Sequence, residues 1–251
     1  MVLTFKLGII LVLVTFVSAL VQSTSGFGFG ILSMAILPFF FPYRKCTVIV
    51  VATVLILQLY TIISMRKHLK WKMVLYPAVA SLICGFIGVH MMVRLSSRTM
   101  GFILGFFMWV LALYLIFGAK YVHLKRNPLV GSAAGALGGF MDGMFAIGGP
   151  PMVAYFDSVM DDPLEYQVTL QLYFAITTVN VLINNIACGN FTAQMTGPLC
   201  ITIVACVIGT TIGMRIMHHV SMKFVRRMAY IVMLAAGTYH LLQGFGIITI
   251  H

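Results

Sequence analysis

The chain has 251 residues, of which 61% are hydrophobic and only 8% charged, with a mean hydropathy of +1.05. That leaves too little polar surface for a water-soluble protein of this size, so one integral membrane domain spanning 1–251 is expected, with no soluble module. The 16 Lys and Arg against 5 Asp and Glu give a net charge of +11. The basic residues sit in short clusters between apolar runs (Arg44-Lys45, Arg66 to Lys72, Arg94 with Arg98, Lys120 to Arg126, Lys223 to Arg227), as in loops facing anionic lipid, and nucleic-acid binding is not expected.

In chain order, the first apolar segment covers 3–41 and is broken at Ser25-Gly26-Phe27-Gly28-Phe29-Gly30. Its start superficially resembles a secretory signal, with Lys6 before an apolar run, but it runs directly into the glycine motif and is read as a retained membrane element. Segments 46–65, 73–93 and 99–118 follow. A second broken segment, 129–158, carries Gly143-Met144-Phe145-Ala146-Ile147-Gly148-Gly149-Pro150-Pro151, and then come 165–188, 196–217 and 224–247. The helix near Pro163 has a readable start: Asp162 as N-cap, Pro163 in the first turn and Glu165 completing a capping box.

This order repeats. Ile87 to Ser96 resembles Ile212 to Ser221 at an offset of 125, while Gly28 aligns with Gly148 at a slightly shorter one. Two units, approximately 1–125 and 126–251, are expected, each of four apolar segments. A broken segment could cross the bilayer once, or enter, turn at the glycines and return. Residues 3–22 already suffice to span, which favours the hairpin. Hairpins also divide the Lys and Arg 5 to 11 between the two sides, against 8 to 8 for single crossings. Three full spans per unit then make the repeats inverted, with both termini outside.

Paired breaks in corresponding places of two repeats point to a transport site. Each presents a short helix start, after Gly30 and after Gly149, whose free N–H groups and dipole favour an anion. Candidate substrate-binding residues are therefore Ser23, Thr24, Ser25, Gly26, Gly28, Gly30, Gly148 and Gly149. Thr177, Asn180 and Asn184 join them, since side-chain amides can donate to oxyanions, although such groups equally join helices together. Gln58 in the matching first-half helix is a weaker candidate.

Asp142 is the one acid inside an apolar segment; it either takes up a proton coupled to substrate movement or only orients the hairpin. Gly131, Gly135, Gly139 and Gly143 form a stripe for close helix packing, with Thr15, Ala19 and Ser23 as small first-half counterparts. Histidines 90, 218, 219 and 240 are assigned to the interface without a role. The five cysteines show no CxxC pair and no metal-ligand spacing, so neither a metal, a cofactor nor a disulfide framework is expected.

The two glycine motifs, the repeated four-segment unit and the Ile87-Gly88 and Ile212-Gly213 signatures together resemble the sulfite exporter TauE/SafE family of membrane permeases over nearly the whole chain. Phe29 and Pro150 stand where a longer glycine run is typical of that family. The resemblance implies an all-α secondary transporter of small anions, such as sulfite or organosulfonates, and the short loops make a bacterial inner membrane the expected setting. Another small organic anion, or a membrane assembly protein without transport, is the alternative. An intramembrane enzyme would need a nucleophile with its base, or metal ligands, and no such pattern is present.

Overall fold

The computed structural model describes residues 5–118, 124–216 and 222–246. Lys120, His218, His219 and the end of the second Ile-Gly repeat, 217–221, lie outside the described residues. The described residues are helical, without strands. Among the described residues ten α-helices follow one another: α1 (Phe5–Ser25), α2 (Phe29–Ile36), α3 (Tyr43–Met65), α4 (Trp71–Arg94), α5 (Ser97–Leu113, prolonged by a π-turn to Gly118), α6 (Pro128–Phe145), α7 (Gly149–Val159), α8 (Pro163–Ala187), α9 (Thr196–Ile216) and α10 (Met222–Gly244). Among the described residues, six helical stretches are long and apolar enough to cross a membrane: α1, α4, α8, and α3, α5 and α9 with their short extensions. Large apolar side chains such as Leu13, Ile63, Leu75, Ile83, Phe106, Val204 and Ile231 face outward, which water would not tolerate over such an area but lipid favours.

Glycine determines which helices touch. A Cβ on Gly135 would meet Pro77 Cα at 2.6 Å, one on Gly139 would meet Ser81 Cα at 2.5 Å, and one on Gly143 would meet Gly85 Cα at 3.1 Å. Gly135, Gly139 and Gly143 thus lie backbone to backbone on α4, with numbers rising together, so α4 and α6 run parallel, whereas Gly131 faces the Tyr155 ring of α7. The same relation holds between α1 and α9, where a Cβ on Gly209 would meet Phe16 O at 2.6 Å and one on Gly213 would meet Leu20 O at 3.1 Å. Small residues are what permit such approaches in a bilayer, where packing replaces the hydrophobic drive.

The other two main pairings are antiparallel. On α5 and α10, Gly105 faces Gly237 and Leu241, whereas the earlier Gly101 faces the later His240 and Gln243. On α3 and α8, Gln58 bonds Thr178, while Lys70 N–H, beyond the end of α3, donates to Thr169 near the start of α8 at 3.2 Å.

The ends of the bundle carry its charge. At one end, the Arg44 guanidinium donates to the Val93 and Leu95 carbonyls, and Arg98 donates to Gly244 O and Phe245 O at 2.9 and 2.8 Å. At the other, Asp162 Oδ1 accepts the Leu164 and Glu165 N–H groups at 2.8 and 2.9 Å, capping α8. These N–H groups, Glu165's foremost, hold the Asp162 carboxyl below its ordinary range, so the cap is intact at neutral pH and weakens as pH falls through that lowered value. The capping box is not closed. Glu165 turns instead to Lys70 Nζ at 2.8 Å, where a full opposite charge is the stronger partner.

His240, expected at the interface, is fully buried: its Nδ1 shares a 3.1 Å hydrogen bond with Tyr43 Oη, which also donates to Gln243 Oε1 at 3.1 Å. This ties the start of α3 to the end of α10.

Candidate functional site where the two broken helices meet

At the end of α1 the chain must abandon helical bonding at membrane depth, where no water satisfies the freed carbonyls. Hydroxyls cluster here, but two of them double up on carbonyls already bonded within the helix and only Ser25 meets a carbonyl beyond it. Ser23 Oγ donates to Ala19 O at 2.8 Å, Thr24 Oγ1 to Val21 O at 2.9 Å, and Ser25 Oγ to Phe27 O at 2.6 Å. Gly26 and Gly28 then take φ of +81° and +113°, a left-handed backbone that side chains rarely adopt. Two glutamines lock the turn: Gln171 Nε2 donates to Gly26 O at 2.8 Å, and Gln22 Oε1 accepts from Phe29 N–H at 3.0 Å.

The second break is built differently. α6 ends at Phe145, and Ala146 alone among the described non-glycine residues has positive φ, +56°. The Asp142 carbonyl accepts Ala146 N–H at 2.8 Å, and its carboxylate accepts the Gly148 N–H. Gly148 has no room for a side chain, because a Cβ there would meet Asp142 Cβ at 2.7 Å and the Gly138 carbonyl carbon at 3.0 Å.

The two breaks touch. Gly30 lies directly against the Ala146 carbonyl, and Gly149 lies against Phe27, a Cβ on it falling 3.6 Å from Phe27 Cβ. Between them is a cavity of about 30 Å³, whose walls include Gly28, Gly30, Ile31, Asp142, Gly148 and Gly149 with Val54 and Phe174. Gln58 and Thr178 line it from α3 and α8, joined by a 3.1 Å hydrogen bond from Gln58 Nε2 to Thr178 Oγ1. Gln58 is 3% exposed, and its Oε1 has no hydrogen-bond partner among the described residues.

The helix starts are unequal donors. In α2 the first-turn N–H groups of Gly30 and Ile31 have no intrahelical acceptor and belong to cavity-lining residues. In α7, Pro150 and Pro151 remove two N–H groups from the first turn, leaving that of Gly149. The first half therefore contributes two such donors, and the second one donor and a carboxylate.

Of the residues singled out in the sequence, Gly28, Gly30, Gly148, Gly149 and Asp142 come together around this cavity. Gly26 bounds the first turn and faces Tyr166 and Leu170. Ser23, Thr24 and Ser25 spend their hydroxyls on backbone carbonyls, and Ser25 lines a separate small apolar pocket beside Phe27. Thr177 Oγ1 bonds Tyr173 O at 3.0 Å and Ser81 Oγ at 3.1 Å, joining α8 to α4. Asn180 donates to Leu82 O at 3.0 Å, and Asn184 to Asn180 O at 2.8 Å. Asn180 thus joins α8 to α4, and Asn184 bonds within α8 on the same side. Gln22 and Thr178 are the cavity-lining polar residues the sequence reading passed over; for Gln22, a glutamine four residues before a glycine turn is the signal that was available.

Six described helical stretches long and apolar enough to cross a membrane, with two broken helices meeting at a small cavity, are the build of a multi-pass integral membrane protein. The sequence pattern of the family described as "Sulfite exporter TauE/SafE" matches residues 11–240, and the chain belongs to this family. Family members are membrane transporters of small anions. The chain is 25% identical over 225 residues to a protein from Cupriavidus necator described as "Probable sulfite/organosulfonate exporter TauE", and the match covers 86% of each chain. No solved structure matches the chain.

Proposed function

We propose that this chain is a secondary transporter of a small sulfur oxyanion of the sulfite class, and that the anion binds in the cavity between the two breaks. The observation that carries this reading is the pairing of the cavity's walls. Ten lining residues form five pairs 120 positions apart: Gln22 with Asp142, Phe27 with Ile147, Gly28 with Gly148, Val54 with Phe174, and Gln58 with Thr178. A cavity made from the same positions of two halves lies on the axis that relates them.

The helix directions support inverted halves of approximately 1–125 and 126–251. The corresponding helices α3 and α8 run antiparallel, as do α5 and α10, whereas α1 on α9 and α6 on α4 repeat one parallel relation. In this reading α1–α2 and α6–α7 are re-entrant hairpins, each followed by three spans. Rocking of one half against the other opens the axial site to either side in turn.

The cavity's size favours a small ion. At about 10–15 Å³ per water-sized group, 30 Å³ admits two or three such groups, so sulfite needs slight widening and an organosulfonate considerably more. Free N–H groups at Gly30, Ile31 and Gly149 suit an oxyanion without holding it as a fixed charge would. A carboxylate at Asp142 repels an anion unless protonated, so a proton taken up there travels with the substrate. A bacterial inner membrane is the proposed setting.

The test is flux into proteoliposomes of the purified chain, with sulfite, sulfate, thiosulfate, a sulfonate and acetate offered in parallel, with and without a pH gradient. Saturable sulfite uptake driven by the gradient is the expected result. Uptake of acetate alone would shift the reading to organic anions. Absence of flux by folded protein would return it to an assembly role.

A further inference from the structure

We propose that the Gln58 carboxamide is the side chain that donates hydrogen bonds to the bound substrate's oxygens, turning over on the Thr178 hydroxyl to do so. The proposal deepens the small-oxyanion reading of the cavity and rests on it. Gln58 is almost wholly buried, lines the cavity, and has one amide atom committed to Thr178 while the other has no partner among the described residues. A buried polar atom in a wall that also contains Val51, Val54 and Phe174 is costly to leave unpaired, so it marks where a ligand group belongs.

The pairing with Thr178 sets what that group can be. A hydroxyl both donates and accepts, whereas an amide has a donating and an accepting end. With Nε2 donating to Thr178 Oγ1, the amide presents its carbonyl to the cavity. A half-turn of the amide plane reverses both ends: Thr178 O–H donates to Oε1, and the NH2 group faces the cavity. The hydrogen bond to Thr178 is kept in both orientations, so the turn exchanges an acceptor for a two-proton donor with little change elsewhere.

An oxyanion selects the donor orientation. It is then held between the Gln58 NH2 on one side and the Gly30 and Ile31 N–H groups on the other, without a fixed positive charge. Gln58 and Thr178 also occupy corresponding positions on antiparallel helices, so this contact sits on the axis between the halves and serves an ion arriving from either side. Gln22, the other cavity glutamine, cannot take this role, because its amide is already bonded to Phe29 N–H and, at 3.4 Å, to Gln171.

The experiment measures sulfite KM and maximal rate in proteoliposomes, and the rise of the thermal midpoint in detergent on adding sulfite, for wild type, Gln58→Leu, Gln58→Glu and Thr178→Val. A hydrogen bond to a charged ligand corresponds to roughly ten- to hundredfold in affinity. Gln58→Leu is expected to raise KM by about tenfold or more and to abolish the sulfite-induced rise, while keeping its ligand-free midpoint. Gln58→Glu should be worse than Gln58→Leu, since it replaces donors with acceptors. Thr178→Val should raise KM less. Unchanged KM and unchanged stabilisation in Gln58→Leu overturn the proposal, as does a fall in maximal rate alone. If Gln58→Leu does not fold, Thr178→Val decides: raised KM supports the proposal and unchanged KM overturns it. Wild type that moves none of the anions refutes the transporter reading itself and removes the proposal with it, whereas active wild type with an indifferent Gln58 refutes the proposal alone.

Discussion

Gly30→Ala is the most informative single change. Its Cβ would stand 2.9 Å from the Ala146 carbonyl carbon, with the carbonyl oxygen closer still. Carbon atoms in good contact lie about 3.5–4.0 Å apart, so the two breaks would have to separate by at least about 0.6–1.1 Å. The obstacle is backbone, and it belongs to a residue already held at positive φ, so no rotamer change relieves it. Overpacking of a well-filled site costs about 1–3 kcal/mol, and this case belongs at or above the upper end. Thermal unfolding in detergent, followed with proteoliposome flux, is the assay. The midpoint should fall by several degrees and flux should be lost in protein that still inserts. Gly8→Ala is the control, because nothing lies within 4 Å of its Cβ, and it should leave both readouts unchanged or slightly raise the midpoint. Wild-type stability and flux in Gly30→Ala would refute the claim that the two breaks are locked together here.

Asp142→Asn should abolish sulfite flux driven by a pH gradient while leaving sulfite–sulfite exchange, measured with labelled substrate; undiminished driven flux would remove the coupling role. Gly139→Leu should prevent α4 and α6 from docking, since even a Cβ there meets Ser81 Cβ at 2.8 Å, and expression as a monodisperse species should be lost. Tyr43→Phe removes two hydrogen bonds, to His240 and Gln243, and should lower stability by about 1–3 kcal/mol with substrate KM unchanged. Glu165→Gln should change stability by less than about 1 kcal/mol, because its Lys70 partner is half exposed.

Much of the architecture was legible because glycine has few reasons to interrupt an apolar run. The two motifs located both breaks, and the glycine stripe marked the face on which α6 packs closely, at Gly135, Gly139 and Gly143, though not its partner α4. The details that escaped were those in which one residue type serves two ends. Ser23, Thr24 and Ser25 looked like ligand hydroxyls, but a short hydroxyl in a helix reaches a nearby carbonyl first: Ser23 and Thr24 bond their own helix and Ser25 the Phe27 carbonyl in the turn. Asn180 and Asn184 do share a face, yet at about 100° per residue Asn180 is rotated some 200° from Thr178, which lines the cavity. Gln58 was only a weaker candidate and Gln22 was passed over, because a glutamine in a span serves packing as readily as binding. Their significance emerges only when positions 120 apart, Asp142 and Thr178, are seen beside them.

The most direct test of the central claim is the location of the anion itself. Selenite is a heavier chemical analogue of sulfite, and crystals of the protein grown with it would locate the ion by anomalous scattering. The account predicts one strong peak between the breaks, within hydrogen-bonding distance of the Gly30 N–H and the Gln58 amide. A peak elsewhere with none between the breaks, for instance in the surface pocket lined by Arg44, Ser96 and Ser97, would contradict it.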